Sequence, residues 1–356
     1  MKERLGRITT IGLIALLLVA LLCAVIWSVT MGAVEIPAYD VFRILLYNIL
    51  GIPVGDPGTL IHGVNYDIVW NIRAPRVFMA VIVGISLALA GVVMQATAQN
   101  PLADPYILGI SSGASLGATF SIAVGAGAVF NGVLSGTDTT FWAFVGAMVA
   151  SLAVLSLSSA GGRITSVKLV LSGMIIASLL GAFTNMIVVM AADSEEIHNL
   201  TFWLLGSLAS ATWTKIWVPL VCMAGCLIFF ATQIRSLNTM MSGDETATTL
   251  GLDIAKKRKM YVFAAAILTA STVSACGMIG FVGLMIPHIV RSLTGNNHWK
   301  LLPVCCIAGG LFMVLADVLA RTLVSGLEIP IGIITAFCGA PVFAYIMIKR
   351  SYSFGG

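Results

Sequence analysis

Nine stretches of this chain run free of charge for about the length a helix needs to cross a bilayer. They are Ile8–Val34, Val77–Ala103, Pro105–Thr137, Thr139–Gly162, Leu169–Ala192, Ile216–Ile234, Met260–Pro287, Leu301–Ala316 and Ile329–Ile348. A spanning helix takes about 20 apolar residues. A chain built this way cannot hide its apolar surface in one water-soluble core, so its natural solvent is lipid. Composition agrees: 59% of residues are hydrophobic and 10% charged, against about 25% charged in a soluble domain. Met1–Arg7 is basic and precedes an apolar run, the layout of a signal peptide. The 27 uncharged residues of Ile8–Val34 are too many for a signal core and predict a retained first helix. Ile197–Thr214 is also uncharged but abuts the next run with only Lys215 between them, which predicts an interfacial or half-buried helix.

The topology turns on Met260–Thr294. Gly277, Gly280 and Gly283 fall in its middle and Pro287 follows, and glycine and proline are where a membrane helix can break. If the stretch is two helices and the N-terminus is inside, the inner segments hold Lys2, Arg4, Arg7, Arg163, Lys168, Arg235, Lys256, Lys257, Arg258, Lys259, Arg291, Lys300, Lys349 and Arg350, which is 14 of the 19 Lys and Arg. An unbroken helix would leave 11 inside. The positive-inside rule favours the break. The expectation is an all-α, polytopic protein of about ten transmembrane helices, one membrane domain over residues 1–356, with both termini cytoplasmic and an inner loop at 235–259.

The sequence excludes several chemistries. No Walker A motif is present, so ATP is not bound by a P-loop. His62, His198, His288 and His298 form no ligand pattern, and neither H-E-x-x-H nor G-x-S-x-G occurs. The seven cysteines lie scattered in apolar segments, apart from adjacent Cys305 and Cys306, and read as small apolar residues without metal spacing or a disulfide framework. The helices are nearly free of ionisable groups, which argues against an ion-coupled transporter. Asp317 is the exception. Arg321 follows four residues on, on the same helix face, as a structural pair or as part of a proton relay.

Three features remain. Gly109, Gly113 and Gly117 recur every four residues, a smooth face for close helix packing, with Ser111, Ser112 and Ser115 beside it. In the inner loop, Met241–Leu252 reads MSGDETATTLGL. Ser242 or Asp244 can cap a short helix there and Gly251 can end it. Such a helix can press on a soluble partner, or the segment can be a connector held by lipid headgroups. Outside, Arg73 and Arg76 flank Pro75, read as the entry to the second helix, and Arg321 lies at the outer end of the ninth. Arginines against the positive-inside bias suit an acidic docking partner, headgroup phosphates or intramolecular pairs.

Together these residues resemble the FecCD-type permeases, which include cobalamin, haem and ferric-siderophore importers. The matching stretches are R-A-P-R (73–76), G-V-V-M-Q-A (91–96), N-P-L-A-D-P-Y-I-L-G-I-S-S-G-A-S-L-G (100–117), F-W-L-L-G-S-L (202–208), G-F-V-G-L-M-I-P-H-I-V-R (280–291), L-A-D-V-L-A-R (315–321) and E-I-P-I-G-I-I-T-A-F-C-G-A-P-V-F (328–343). The resemblance implies a type II ABC importer permease of about ten helices in a bacterial or archaeal plasma membrane, without a cofactor and without a nucleic-acid partner. It implies a second permease copy or paralogue, with the substrate pathway between the two. Two ABC ATPase subunits would dock below, and a periplasmic or lipid-anchored solute-binding protein above. Arg73, Arg76 and Arg321 would then face glutamates of the binding protein. Ser242, Gly243, Asp244, Glu245, Ala247, Leu250 and Gly251 would form the helix that seats in the ATPase. Asn100, Pro101 and Pro287, with the three glycines, would serve packing or the pathway. The cargo implied is an iron chelate such as a ferric siderophore, with cobalamin or haem as alternatives and a secondary transporter as the distant one.

Overall fold

A computed structural model describes residues 2–349 apart from 33, 56–61, 126–138, 161, 163, 191–193 and 325. Among the described residues the architecture is helical. The helices are α1 (Lys2–Thr30), α2 (Ala38–Leu50), α3 (Val64–Ala98), α4 (Ile110–Thr119), α5 (Thr139–Ser159), α6 (Ser166–Met190), α7 (Ser194–Leu205), α8 (Trp213–Thr232), α9 (Ile234–Met240), α10 (Asp244–Thr249), α11 (Ile254–Cys276), α12 (Val282–Thr294), α13 (His298–Thr322) and α14 (Ile331–Lys349). Seven are long and apolar enough to cross a membrane, and α12 and α14 are shorter apolar helices. Eight of the nine uncharged runs correspond to these helices, Met260–Pro287 to two; in the ninth, Pro105–Thr137, α4 continues as a π-helical stretch to Gly125, and 126–137 lie outside the described residues.

Three helices form the core. Over their most apolar windows α3, α11 and α13 are 83%, 72% and 67% buried, whereas α1 and α6 are 11% buried and turn apolar faces outward. Between lipid-soluble helices no hydrophobic force drives association, so close backbone approach must supply it. Gly84 of α3 meets the backbone of Gly309 and Gly310 of α13, and Gly91 of α3 meets Gly283 of α12. Pro287 contributes to the second contact. Lacking an N–H, it cannot bond the Gly283 carbonyl one turn back, and that oxygen lies against Gly91.

The break after α11 reverses the chain. Near the start of α11, Arg258 Nε donates to Thr97 O of α3 at 3.1 Å. Near the end of α12, Arg291 Nη2 donates to Gln95 Oε1 at 3.2 Å. Both ends of 254–294 therefore reach the same end of α3. The turn between them holds Gly277 at φ 71° and Phe281 at φ 69°, the latter uncommon for a bulky residue. The Phe281 ring fits because it lies against Gly339 of α14.

The structure corrects the entry to the second helix. α3 begins at Val64, and a π-helical stretch, Asp67–Arg73, precedes Pro75. Ala74 N–H bonds to Val69 O five residues back, so the widened turn carries the helix past a proline that cannot donate. Arg73 and Arg76 thus lie inside a helix of about 52 Å. The segment between α1 and α3 holds α2, which buries Val41 and Ile44. Beside it, Trp213 Nε1 donates to Trp70 O at 2.8 Å, and the two rings lie tilted with centroids 4.8 Å apart.

Candidate docking and coupling sites

At one end of the bundle the last carbonyls of α1 need donors that a helix cannot supply to itself. Arg73 Nη1 donates to Val29 O at 3.0 Å and Thr30 O at 2.9 Å, and Nη2 donates to Val34 O. Arg321 Nη1 donates to Met31 O at 2.9 Å, and Nη2 to Ser28 Oγ at 2.7 Å. Two guanidinium groups therefore sit on the negative end of the α1 dipole. Gly32 leaves them room, since a Cβ there would lie 2.7 Å from Arg73 Nη2.

Arg76 lies one turn along α3. Its Nε is 2.7 Å from Asp317 Oδ1 and its Nη1 is 3.0 Å from Glu328 Oε1. Asp317 Oδ2 is also 3.1 Å from Arg321 Nε. The Asp317 side chain is fully buried, whereas Glu328 is 40% exposed at the rim. Three arginines against two carboxylates leave the cluster positive. All three arginines and Glu328 line a cavity of about 350 Å³. Arg76 Nη2 is buried and has no partner among the described residues. The sequence paired Asp317 with Arg321; the share taken by Arg76, 241 residues away, carries no local pattern.

At the opposite end the loop at 235–259 folds into helices. Its basic run Lys256–Lys259 belongs to the first turns of α11, whose N-cap is Asp253. Neither Ser242 nor Asp244 caps α10. Gly243 stands at the N-cap without a side-chain bond, and Asp244 begins the helix. Gly251, at φ 84°, ends it, with Leu252 N–H on Ala247 O at 3.0 Å. Ala247 is buried, while Glu245 and Leu250 are exposed. The Asp244 carboxylate is held instead by Arg258 Nη2 at 3.0 Å and Gln99 Nε2 at 2.8 Å.

Asn100 and Pro101 form the turn after α3, where Asn100 Oδ1 accepts from Leu102 N–H at 2.9 Å. Gly113 and Gly117 do lie at a helix contact: a Cβ on either would meet the α5 backbone, at Gly146 and Trp142 respectively. Gly109 departs from that face. At φ 66° it is the left-handed residue that starts α4. Tyr106, not singled out in the sequence, completes the turn after α11: its OH donates to Ile279 O at 2.9 Å and accepts from Ile279 N–H at 3.2 Å. Ser207 N–H bonds Cys276 O at 2.8 Å. Irregular backbone in a membrane bundle needs such partners.

Residues 17–349 match the model of the FecCD transport family. The chain is 38% identical over 330 residues to the ABC transporter permease protein YvrB of Bacillus subtilis, covering 92% of this chain and 90% of that one. It is 39% identical over 284 residues to the cobalamin import system permease protein BtuC of Halobacterium salinarum, covering 80% and 74%. It is 33% identical over 348 residues to the hemin transport system permease protein HmuU of Yersinia pestis, covering 97% and 98%. A solved structure of a metal-chelate type ABC transporter in an inward-facing conformation superposes with TM-score 0.77 at 30% identity, over 95% of this chain and 99% of that one. The chain is a multi-pass membrane permease of the ABC-transporter type, not an enzyme, and it belongs to the FecCD transport family.

Proposed function

We propose that this chain is the membrane-spanning subunit of an ATP-driven importer for a metal chelate, with a ferric siderophore as cargo. One arrangement carries the reading: a positive, carboxylate-accepting cavity at one end of α3 and an exposed short helix tied to its other end. A solute-binding protein with acidic side chains docks over the cavity that Arg73, Arg76 and Arg321 line, its carboxylates drawn by the excess positive charge there. An ATPase subunit seats on α10 through Glu245, Thr248, Thr249 and Leu250, which are exposed. ATP binding moves α10, and the bundle alternates between outward and inward openings. α1 ends beside the arginine cavity and α14 follows Glu328 at its rim, which supports reading the α10 side as cytoplasmic, with both termini there. The exposed apolar residues of α14, Phe337 among them at 74%, face lipid or a second permease copy.

The match to a metal-chelate type transporter supports the cargo class. The likeness to cobalamin and hemin permeases supports a second reading with the same mechanism and another cargo. Uptake of a ferric siderophore, cobalamin and haemin, compared side by side in proteoliposomes holding all three components, separates them. Uptake of the siderophore is expected. Uptake of cobalamin or haemin alone would replace the cargo, and uptake independent of ATP would make the chain a secondary transporter.

A further inference from the structure

Arg258 is the most deeply engaged charged side chain at the α10 end, and it is 2% exposed. Its planar guanidinium reaches three segments at once. Nε donates to Thr97 O, in the last turn of α3, at 3.1 Å. Nη1 donates to Ile164 O, in the link between α5 and α6, at 2.9 Å. Nη1 and Nη2 form a fork on Asp244, at 3.2 Å to Oδ2 and 3.0 Å to Oδ1.

The end of α3 is closed by these bonds. Of its final carbonyls, Gln95 O accepts from Asn100 N–H, Ala96 O from Gln99 N–H, Ala98 O from Ser166 Oγ and Thr97 O from Arg258. A cation here also complements the negative end of the α3 dipole. α10 is attached far more sparsely. It buries one residue, Ala247, and its polar attachment to the bundle runs through Asp244. Gln99 adds a second bond from the α3 end to Asp244, and it also donates to Met240 O at 2.8 Å.

We infer that Arg258 is the positioning residue that converts displacement of α10 into displacement of α3 and of the α5–α6 link. The inference rests on the proposal that α10 is where an ATPase engages. A push on a six-residue helix moves a membrane bundle only if the attachment does not slip. A bidentate guanidinium–carboxylate pair fixes both distance and orientation. A lysine at the same place would keep the charge as a rotatable point with no fork. α3 is the 83% buried central helix and carries the positive cavity at its far end. The clamp therefore joins the ATPase side of the protein to the element that runs through its core.

The test uses the complete transporter in proteoliposomes and reads cargo taken up per ATP hydrolysed, for wild type, Arg258→Lys, Asp244→Asn and Lys256→Ala. Asp244→Asn leaves the bonds from Arg258 to Thr97 and Ile164 in place, so the bundle end stays capped if Arg258→Lys is too unstable to assay. Lys256 is exposed in the same turn of α11 and serves as a control for local charge. The expected result is a ratio at least five-fold lower for Arg258→Lys and Asp244→Asn, with Lys256→Ala equal to wild type. Uptake and hydrolysis falling in proportion, with the ratio held, would reduce Arg258 to a structural role and overturn the inference. Wild-type protein lacking ATP-dependent uptake would instead overturn the functional reading beneath it.

Discussion

Arg76 of α3 and Asp317 of α13 meet at 2.7 Å with both side chains buried, and the same carboxylate lies 3.1 Å from Arg321. One acid thus balances two bases where two of the three core helices meet. Removing Asp317 would leave Arg76 with Glu328 alone as its carboxylate and Arg321 with neutral partners only, Met31 O and Ser28 Oγ among them. Breaking a buried pair costs about 3–5 kcal/mol. Asp317→Ala is expected to lower the thermal unfolding temperature in detergent well below that of wild type. An unchanged transition would mean that water or lipid headgroups already screen the cluster.

Glu328 is the other partner of Arg76, at the rim of the cavity. An incoming carboxylate from a binding protein would compete with it. Glu328→Gln is therefore expected to tighten docking by about two- to ten-fold, most strongly at low salt, where rim charges act over a longer range. Binding-protein titrations at two ionic strengths check this. Weaker docking would show that Glu328 recognises the partner directly.

Close backbone contacts leave no space at Gly91 of α3, where a Cβ would overlap the Gly283 carbonyl. Forcing extra atoms into a packed contact costs about 1–3 kcal/mol. Gly91→Ala is expected to destabilise the protein by that amount and Gly91→Val by more, measured by thermal unfolding. Gly181, inside α6, has nothing within 4 Å of such an atom, so Gly181→Ala is expected to be neutral or to stabilise by up to about 1 kcal/mol through helix propensity and serves as the comparison.

The Tyr106 hydroxyl satisfies both backbone groups of Ile279. Tyr106→Phe keeps the ring and removes the bonds. Leaving buried polar groups unpaired costs about 1–3 kcal/mol each. A lower unfolding temperature and reduced uptake are expected together, because the turn separates α11 from α12. Full stability in Tyr106→Phe would mean that Ile279 finds other partners.

The membrane helices were legible because lipid imposes a simple rule on run length and charge. The break at Gly277–Phe281 was legible as well: three glycines, a proline and the distribution of Lys and Arg all pointed to it. Less could be read where function concentrates. The start of α3 lies at Val64, ahead of the uncharged run, because a π-helical stretch carries it past Pro75. The Asp244–Arg258 clamp joins residues 14 apart across a helix boundary, and Arg76–Asp317 joins residues 241 apart. No periodicity records such pairs. The four-residue glycine repeat identified a face, but could not tell that Gly109 stands before the helix begins and turns the chain instead.

The most direct measurement is ATP-driven uptake of a radiolabelled ferric siderophore into proteoliposomes, with the ATPase and the binding protein each omitted in turn. The expected result is uptake only when all three components and ATP are present. Uptake that persists without the ATPase would contradict the account.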